Sequence, residues 1–435
     1  MATLLVAIEG CCHGELDMIY QHLGRAAEKP DLLIICGDFQ SVRNEKDLKC
    51  MAVPEKFKRL GDFPDYYSGA KKAPILTIFI GGNHEASNYL QELRHGGWVA
   101  PNIYYLGRSG VVWYRGLKIM GLSGIWNPQS FMKKPVKVEP PYNPSEIRSV
   151  YHVRKEDYWK MLCCKDTNDA VILSHDWPEG IPNFGNLEYL LRKKPFFKTD
   201  IGTGKLGSPV NRELLFRLKP RFWFSAHLHV EFMATVVHAA KRRGSSLESE
   251  GDKKSRVVKN VDEIELDLDD FDEEEEKEEV KEELEAKKEE TPEKEQVTEF
   301  HALDKCLPRR KFLAFKQVQV TNMHHPSFTD KESLYLDEEF LCVERALQSL
   351  RSSEVKSPCV EAMDTIHKAL NPTDEFLEEM YLQIDVECVK FNKRFGLDDL
   401  RLSKESFLAT APNEASKFEA YVNPQTEKYE KLLSE

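Results

Sequence analysis

Continuous apolar runs dominate the first half of the chain and predict strands that are buried on both faces of a sheet. The runs lie at residues 4–8, 31–38, 74–83, 117–124, 169–177 and 220–229. Residues 15–28 and 186–193, between some of these runs, have the apolar spacing of helices. This alternation predicts an α/β domain in which helices flank layered sheets, and we place it at residues 1–240.

The second half of the chain differs in composition and in pattern. Residues 244–298 are rich in Glu and Lys and almost lack aromatic side chains, so we expect a disordered acidic insertion. The stretch FHALDKCLPRRKFLAFKQVQV at 300–320 predicts a returning strand, and we assign residues 300–325 to a segment that completes the first domain. Apolar positions recur at helical spacing over residues 330–425, which predicts a smaller, mainly helical C-terminal domain.

The net charge of −12 conceals an uneven distribution of charge along the chain. Residues 262–290 carry 18 acidic and 4 basic side chains, a net charge of −14, which leaves +2 for the rest. The overall acidity therefore does not exclude a polyanionic partner. No apolar run approaches the ~18 residues of a membrane span, and the opening MATLLVAIEG predicts a buried strand rather than a signal peptide. The ten cysteines lack a compact disulfide spacing, so we expect reduced thiols, some of them metal ligands.

Five short segments at the ends of predicted strands contain side chains that can bind metal ions. They are CCHG at 11–14, GDF at 37–39, GGNHE at 81–85, SHDW at 174–177 and AHLH at 226–229. Together they supply Cys11, His13, Asp38, Asn83, His84, His175, His227 and His229. Each segment alone is weak evidence, because such short motifs often occur by chance. Five such strand ends in one chain predict a metal-dependent site.

In this order the segments resemble the motifs D-x-H, G-D, G-N-H-[ED], H and G-H-x-H of the calcineurin-like metallophosphoesterase family. The resemblance covers about residues 1–240 and implies a β-sandwich flanked by helices. Cys11 stands where the family usually has Asp, and Ala226 stands where it usually has Gly. The first departure points to a subgroup, the RNA lariat debranching enzymes. The stretches that resemble this subgroup, within 1–240 and 300–313, are CCHGELD, GGNHEASN, GGWVAPNIYYLG, PPYNPSEIRSVYHVR, SHDWP, WFSAHLHV and ALDKCLP.

The resemblance implies two divalent cations that share the carboxylate of Asp38. The other ligands would be Cys11, His13 and His229 at one ion and Asn83, His175 and His227 at the other. Because thiolate is softer than carboxylate, Cys11 favours Fe(II) and Zn(II), with Mn(II) as a further candidate. A buried thiol without a ligand role is the alternative for Cys11. His227 and His229 would face one side of an extended segment, or would address different ions if the segment turns.

The same resemblance implies roles for three residues next to the ligands. His84 would lie beside the scissile phosphate, where it stabilises developing charge or protonates the leaving 2′-oxygen. The alternative is that His84 only orients Asn83. Glu85 and Asp176 would orient the metal-binding histidines from outside the ligand set.

Residues 126–159 interrupt the alternation of strands and helices with a mixture of basic and aromatic side chains. Such side chains can bind phosphates and stack on unpaired bases. They are Phe131, Lys133, Lys134, Lys137, Tyr142, Arg148, Tyr151, Arg154, Lys155, Tyr158 and Trp159. In the debranching family a loop at this position recognises branched RNA, which implies RNA contacts for Tyr142, Arg148 and His152. The alternative is a Pro-rich surface loop followed by an ordinary helix that starts near Ile147.

We therefore expect a metal-dependent RNA phosphodiesterase that hydrolyses the 2′–5′ branch-point bond of excised intron lariats and gives linear RNA. One alternative is another phosphoesterase of the superfamily, either a nuclease or a protein phosphatase, although the Asp-Arg pair of many phosphatases is missing after Gly37-Asp38. The other is a non-catalytic scaffold. The substrate implies a nuclear location, to which the basic runs 241–243 and 253–256 add weak support. The acidic insertion and the C-terminal domain are candidate surfaces for protein partners.

Overall fold

The computed structural model describes residues 2–137, 139–238, 295–352, 365–415 and 417–435. The strands are β1 (Thr3–Glu9), β2 (Leu32–Ile35), β3 (Thr77–Phe79), β4 (Gly97–Ala100), β5 (Ile103–Tyr105), β6 (Ser109–Tyr114), β7 (Leu117–Leu122), β8 (Val171–Ser174), β9 (Phe222–Ser225), β10 (Phe232–His238), β11 (Gln296–Ala302), β12 (Leu313–Gln319), β13 (Leu334–Leu336) and β14 (Arg401–Leu402). The first ten helices are α1 (Leu16–Gly24), α2 (Glu45–Leu48), α3 (Phe63–Tyr67), α4 (Ser87–Glu92), α5 (Pro128–Phe131), α6 (Pro144–Ile147), α7 (Lys155–Leu162), α8 (Leu187–Lys193), α9 (Phe197–Gly202) and α10 (Pro209–Leu218). The later helices are α11 (Glu338–Ser352), α12 (Ile366–Leu370), α13 (Asp374–Asn392), α14 (Leu397–Leu400) and α15 (Pro424–Ser434).

The strands of the described ranges form two sheets that pack face to face. Their orders are β12-β1-β2-β3-β5-β4 and β10-β11-β9-β8-β7-β6-β13-β14. The inner faces meet in one apolar cluster, to which Val6 and Ile34 contribute from the first sheet and Leu173 and Phe224 from the second. Helices cover the outer faces, so the central strands are buried on both sides. This explains their continuous apolar runs and confirms the predicted α/β sandwich.

The ends of the central strands converge at one edge of each sheet. β1, β2 and β3 run parallel to one another, and so do β7, β8 and β9. Several strands are shorter than the runs that predicted them; β9, for example, ends at Ser225, well before residue 229. The polar residues after each strand therefore lie in turns at the carboxyl ends of parallel strands, where α/β folds bind their ligands.

The C-terminal region shares its core with the first half of the chain. β13 and β14 extend the larger sheet. The side-chain amide of Gln425 accepts from the backbone nitrogen of Trp98 at 2.8 Å and donates to its carbonyl oxygen at 3.0 Å. The indole nitrogen of Trp159 donates to the carbonyl oxygen of Ala369 at 2.9 Å. The helical region that we predicted from residue 330 onward is thus built onto both sheets.

The return segment brings the chain back into both sheets. β11 pairs with β10 and β9, and β12 lies antiparallel to β1. The expected acidic insertion lies outside the described residues as far as 294, as do both basic runs. Its predicted end at residue 298 is wrong, because β11 already begins at Gln296 and Thr298 is fully buried. Buried and exposed positions alternate along β11, and the composition of the segment did not reveal this alternation.

None of the helices in the described ranges has the length and apolar character needed to cross a membrane.

Candidate metal centre

Each predicted ligand lies in a turn that follows a central strand. His13, Asp38, His227 and His229 have φ values of 50°, 47°, 62° and 51°. This left-handed conformation costs free energy for residues with a Cβ atom, and it concentrates at functional sites where the surrounding structure imposes it. Because His227 and His229 lie in turns, the segment is not extended here, and the two rings need not face the same side.

One group of donors collects around Cys11. The candidate ligand atoms of Cys11, His13, Asp38 and His229 all lie within 4.8 Å of one another. The Nε2 atom of His13 is 3.8 Å from Oδ2 of Asp38 and 3.4 Å from Nε2 of His229. One thiol, one carboxylate and two imidazoles are a donor set that suits a borderline or soft divalent cation.

A second group of donors meets the other oxygen of Asp38. The Nε2 atom of His175 is 3.4 Å from Oδ1 of Asp38 and 3.3 Å from Oδ1 of Asn83. The Nδ1 atom of His175 lies 2.8 Å from the carbonyl oxygen of Cys36 and donates to it, which leaves the lone pair of Nε2 facing Asp38. The ring of His227 lies 4.9 Å from that of His175, centroid to centroid. Asp38 therefore stands between two donor groups, as a bridging carboxylate must.

Electrostatics favours neutral rings for His175 and His229 and an ionised carboxylate for Asp38. Burial lowers the pKa of His175 to about 4 and, together with the nearby His13, lowers that of His229 to about 3. Burial alone would raise the pKa of Asp38, but the surrounding histidines hold it well below its usual range. Burial and the Asp38 carboxylate raise the pKa of the Cys11 thiol, so a thiolate there needs a cation beside it. The residues present fit a pair of divalent cations.

Two glycines make room for this packing of donors. A Cβ atom on Gly82 would lie 2.2 Å from Oδ1 of Asp38, and one on Gly37 would lie 2.2 Å from Nδ1 of His175. Gly37 also has a φ of 114°, which L side chains rarely adopt. Gly37 of the GDF segment and Gly82 of the GGNHE segment are therefore required by the close approach of the ligands.

His84 lies at the open side of the centre. Its backbone nitrogen donates to Oδ1 of Asp38 at 2.8 Å, and its Nδ1 atom is 3.3 Å from Oδ2 of the same carboxylate. The side chain is 29% exposed, whereas that of Asp38 is 1% exposed. The imidazole is thus fixed against the bridging carboxylate and still reaches solvent, where a substrate would arrive.

The two acidic residues next to the ligands have different partners. The carboxylate of Glu85 accepts from the backbone nitrogens of Phe39 and Gln40, both at 2.8 Å, and from that of Gly82 at 3.0 Å. Glu85 therefore holds the Asp38 turn against the Asn83 turn. We had predicted that it orients one of the metal-binding histidines, and its contacts differ from that prediction. Burial and the neighbouring Asp38 raise the pKa of Glu85 to about 8. Asp176 does face a histidine, with Oδ1 at 3.9 Å from Nε2 of His227.

The three predicted RNA-contacting residues lie in different environments. Arg148 is exposed. His152 is half-buried, with its Nδ1 atom 2.9 Å from Oγ of Ser130, and burial lowers its pKa to about 4. Tyr142 is only 8% exposed and packs in an apolar cluster with Cys50 and Val150, which disagrees with the predicted RNA contact.

Other members of the 126–159 segment also belong to the interior. Phe131, Tyr158 and Trp159 are buried in the core beneath the larger sheet. Arg154 donates to the carbonyl oxygens of Ser130 and Ser149 at 3.0 and 2.8 Å and so braces the loop from inside. The residue is only 2% exposed, so its side chain is a structural element of the loop.

Sequence reasoning missed two residues at the centre. The side-chain nitrogen of Gln40 lies 3.2 Å from Nδ1 of His13. If the amide group is rotated so that its oxygen takes this position, the oxygen accepts the Nδ1–H group of His13. The Nε2 atom of His13 is then free to bind a metal ion. Lys305 pairs with Cys11 through an isolated backbone bridge. The only sequence feature that pointed to Lys305 was its position in the stretch ALDKCLP, which resembles the debranching enzymes.

A two-sheet sandwich with a bridging carboxylate between two donor groups defines the class of dinuclear metal phosphoesterases. The family model for calcineurin-like phosphoesterases matches residues 4–231, and that for the C-terminal domain of lariat debranching enzymes matches residues 295–434. The family implies a dinuclear site for divalent metals, and Cys11, His13, Asp38 and His229 form one half of it here.

Similarity to curated proteins narrows the class. The lariat debranching enzyme of Schizosaccharomyces pombe is 40% identical over 98% of this chain and 95% of its own length. The enzyme of Saccharomyces cerevisiae is 43% identical over 78% of this chain and 83% of its own length. The human enzyme is 46% identical over 79% of this chain and 54% of its own length, so the chain spans only about half of that relative. The chain belongs to the lariat debranching enzyme family.

Proposed function

We propose that the protein is a metal-dependent RNA phosphodiesterase that hydrolyses the 2′–5′ branch-point bond of intron lariats and releases linear RNA. The observation that carries the proposal is the position of Asp38, whose two oxygens face separate donor groups while His84 contacts it from the solvent side. The names of the relatives supply the substrate.

The reaction is a hydrolysis in which water adds to phosphorus and the bond from phosphorus to the 2′-oxygen breaks. Two bound divalent cations would activate the water and stabilise the charge on the phosphoryl oxygens. His84 would deliver the proton that the departing 2′-oxygen needs, from a ring fixed against Asp38. The products are a 2′-hydroxyl on the branch nucleotide and a 5′-phosphate on the released end.

The metals that we propose are Fe(II) and Zn(II), with Mn(II) able to substitute. The support is the thiol of Cys11, which is fully buried within the first donor group, because thiolate selects softer cations than Mg(II). Arg148 and His152 are the proposed RNA contacts of the 126–159 loop, and a nuclear location follows from the proposed substrate. Imaging of the tagged chain in cells would test that location.

The test is cleavage of a synthetic RNA that has one 2′–5′ branch and otherwise 3′–5′ linkages. Protein reconstituted with Fe/Zn or Mn should cleave only the branch, and His84→Ala should abolish the cleavage. His324→Ala is the matched control, since this histidine is exposed and follows β12 at the opposite edge of the sheet. No cleavage despite two bound metals would point to a nuclease or phosphatase, and no bound metal would point to a scaffold.

A further inference from the structure

A basic and aromatic segment, residues 54–60, packs directly against the turn that carries His13. Its sequence is PEKFKRL, with three basic side chains and one acidic side chain. The Nη2 atom of Arg59 donates to the carbonyl oxygen of His13 at 3.2 Å and also contacts the carboxylate of Glu15. This segment, here called the 54–60 loop, therefore touches the backbone of a candidate ligand of the first donor group.

Backbone contacts fix the end of the 54–60 loop against the same turn. The backbone nitrogen of Asp62 donates to the carbonyl oxygen of Gly14 at 3.0 Å, and Oδ2 of Asp62 accepts from the backbone nitrogen of Asp17 at 2.9 Å. A Cβ atom on Gly61 would lie only 2.9 Å from the carbonyl oxygen of Gly14. The close approach of the two segments therefore requires glycine at this position.

The side chains of the loop face solvent. Phe57 is 59% exposed, and the Nζ atom of Lys56 lies 4.8 Å from the centre of its ring. The side chain of Arg59 is 56% exposed, whereas Lys58 is half-buried and pairs with Glu55 at 2.7 Å. An exposed phenylalanine alone means little. An exposed ring beside exposed basic groups is the combination that binds single-stranded nucleic acid.

The loop is close to the position where the scissile phosphate would bind. The ring of His13 lies 5.6 Å from that of His84, centroid to centroid, and His84 is on the open side of the centre. Both contacts of Arg59 within the described ranges use Nη2, so its other N–H groups are available to a phosphate. An RNA strand that leaves His84 on the His13 side therefore meets this guanidinium group first.

The 54–60 loop and the 126–159 loop border different donor groups. The second loop begins at Trp126, whose backbone nitrogen donates at 3.0 Å to Asp176, and Asp176 faces His227 of the second donor group. A branched RNA has several arms that leave the branch in different directions. Contacts on one side of the centre would leave an arm on the other side unbound.

We propose that the 54–60 loop binds one single-stranded arm of the branched RNA next to the branch. Lys56 and Arg59 contact phosphates, and Phe57 stacks on a base. This inference rests on the proposed function and deepens it, because it assigns a second substrate-binding surface in addition to the 126–159 loop.

The test measures binding of fluorescent branched RNA by anisotropy across a series of KCl concentrations, in a metal-loaded His84→Ala background that keeps the RNA intact. Lys56→Gln should reduce the slope of log Kd against log[KCl] by about 0.7 for each RNA phosphate that is no longer neutralised. Phe57→Ala should weaken binding about 5- to 150-fold with an unchanged slope, because a stacked base is lost. Phe57→Tyr keeps a ring and should restore the affinity.

The matched controls are Lys165→Gln for the charge and Leu382→Ala for the exposed apolar side chain. Lys165 precedes β8, at the opposite end of that strand from His175, and pairs with Asp385 at 3.0 Å. Leu382 lies on α13 and is exposed. Both controls should keep the wild-type slope and affinity. Losses in the controls as large as those in the loop variants would overturn the proposal.

Metal content separates contact with RNA from support of the His13 turn. Lys56→Gln and Phe57→Ala should bind as much metal as the wild type, and loss of metal together with affinity would show that the loop only supports the turn. Variants that match the wild type in slope and affinity, while protein with intact His84 still cleaves the branch, would overturn the role of the loop alone. A wild type that neither binds nor cleaves branched RNA would overturn the proposed function as well.

Discussion

The sulfur of Cys11 lies 3.3 Å from the backbone nitrogen of His227, whose N–H group donates a hydrogen bond to it. This contact joins the first metal-binding turn to the last. The sulfur also belongs to the first donor group, with His13, Asp38 and His229. Cys11 therefore holds two turns in register and offers a ligand from the same atom.

Replacement of Cys11 by Ser should weaken retention of zinc and iron more than retention of manganese, because a hydroxyl is a harder donor than a thiolate. The loss of zinc affinity should exceed the roughly 10-fold that loss of an outer-shell partner costs. Metal content after gel filtration, measured by mass spectrometry, checks this. Cys388→Ser, on α13 away from the centre, is the control. Equal zinc in all three proteins would show that Cys11 is only a buried thiol.

Removal of metal with a chelator should lower the melting temperature. Ions that bind only the folded state stabilise it, by about 2.7 kcal/mol when the free ion is at 100 times its Kd. Differential scanning calorimetry of chelated and reconstituted protein gives the shift. A His175→Ala/His229→Ala variant, which lacks one ligand of each donor group, should show little response to the chelator. An unchanged melting temperature in the unsubstituted protein would contradict the predicted binding of two metal ions.

Glu85→Gln should destabilise the fold and reduce activity together. The two oxygens of the Glu85 carboxyl group accept three backbone N–H groups from the Asp38 and Asn83 turns, and an amide can present only one oxygen to them. A buried donor left without an acceptor costs roughly 1–3 kcal/mol. Denaturant unfolding and the rate of branch cleavage measure the two effects. Glu55→Gln, at a side chain that is 88% exposed, should change neither.

Glu344 should contribute a pH-dependent part of the stability. It is 2% exposed and accepts from Nζ of Lys160 at 2.7 Å and from the hydroxyl of Tyr429 at 2.9 Å, which ties α11 to α7 and α15. Burial alone would raise its pKa, but Lys160 and His95 outweigh burial and lower the pKa to about 2. The ionised form therefore stabilises the fold above the unfolded pKa of about 4.3, and this contribution disappears as the pH falls towards 2.

Glu344→Gln should accordingly lower the free energy of unfolding at pH 7 by about 3 kcal/mol. The difference from the wild type should shrink between pH 5 and pH 2. Urea unfolding at several pH values gives this curve, with the exposed Glu332→Gln as control. A difference that stays constant with pH would rule out the lowered pKa of Glu344 as its cause.

The sequence predicted those parts of the fold that depend on local pattern. β1, β2, β8 and β9 are mostly apolar because helices and a second sheet cover them, and a residue such as Asp38 stands out after such a run. The two donor groups could be proposed because the motifs occur in a recognisable order. What the sequence could not show is that Asp38 turns one oxygen to each group, since this depends on turns with positive φ.

The sequence could not predict the features that depend on tertiary contacts. Tyr142 and Trp159 lie in a segment with the composition of an RNA-binding loop, yet both are buried, because composition does not distinguish a ring that stacks on a base from one that fills a core. Lys305 was overlooked for the opposite reason. It is distant from Cys11 along the chain and reaches the centre only because β11 and β12 return to the two sheets.

The pairing of β10 with β11 sets the last residue of one strand, His238, opposite the first residue of the other, Gln296. The two ends of the intervening segment are therefore already neighbours in the sheet. In general, the free-energy cost of closing a flexible chain between two fixed ends rises only by about 0.6 kcal/mol for each doubling of its length. This junction could accommodate deletions, expansions or a grafted fluorescent domain during evolution or engineering, while the turns that carry Cys11 and Asp38 keep their geometry.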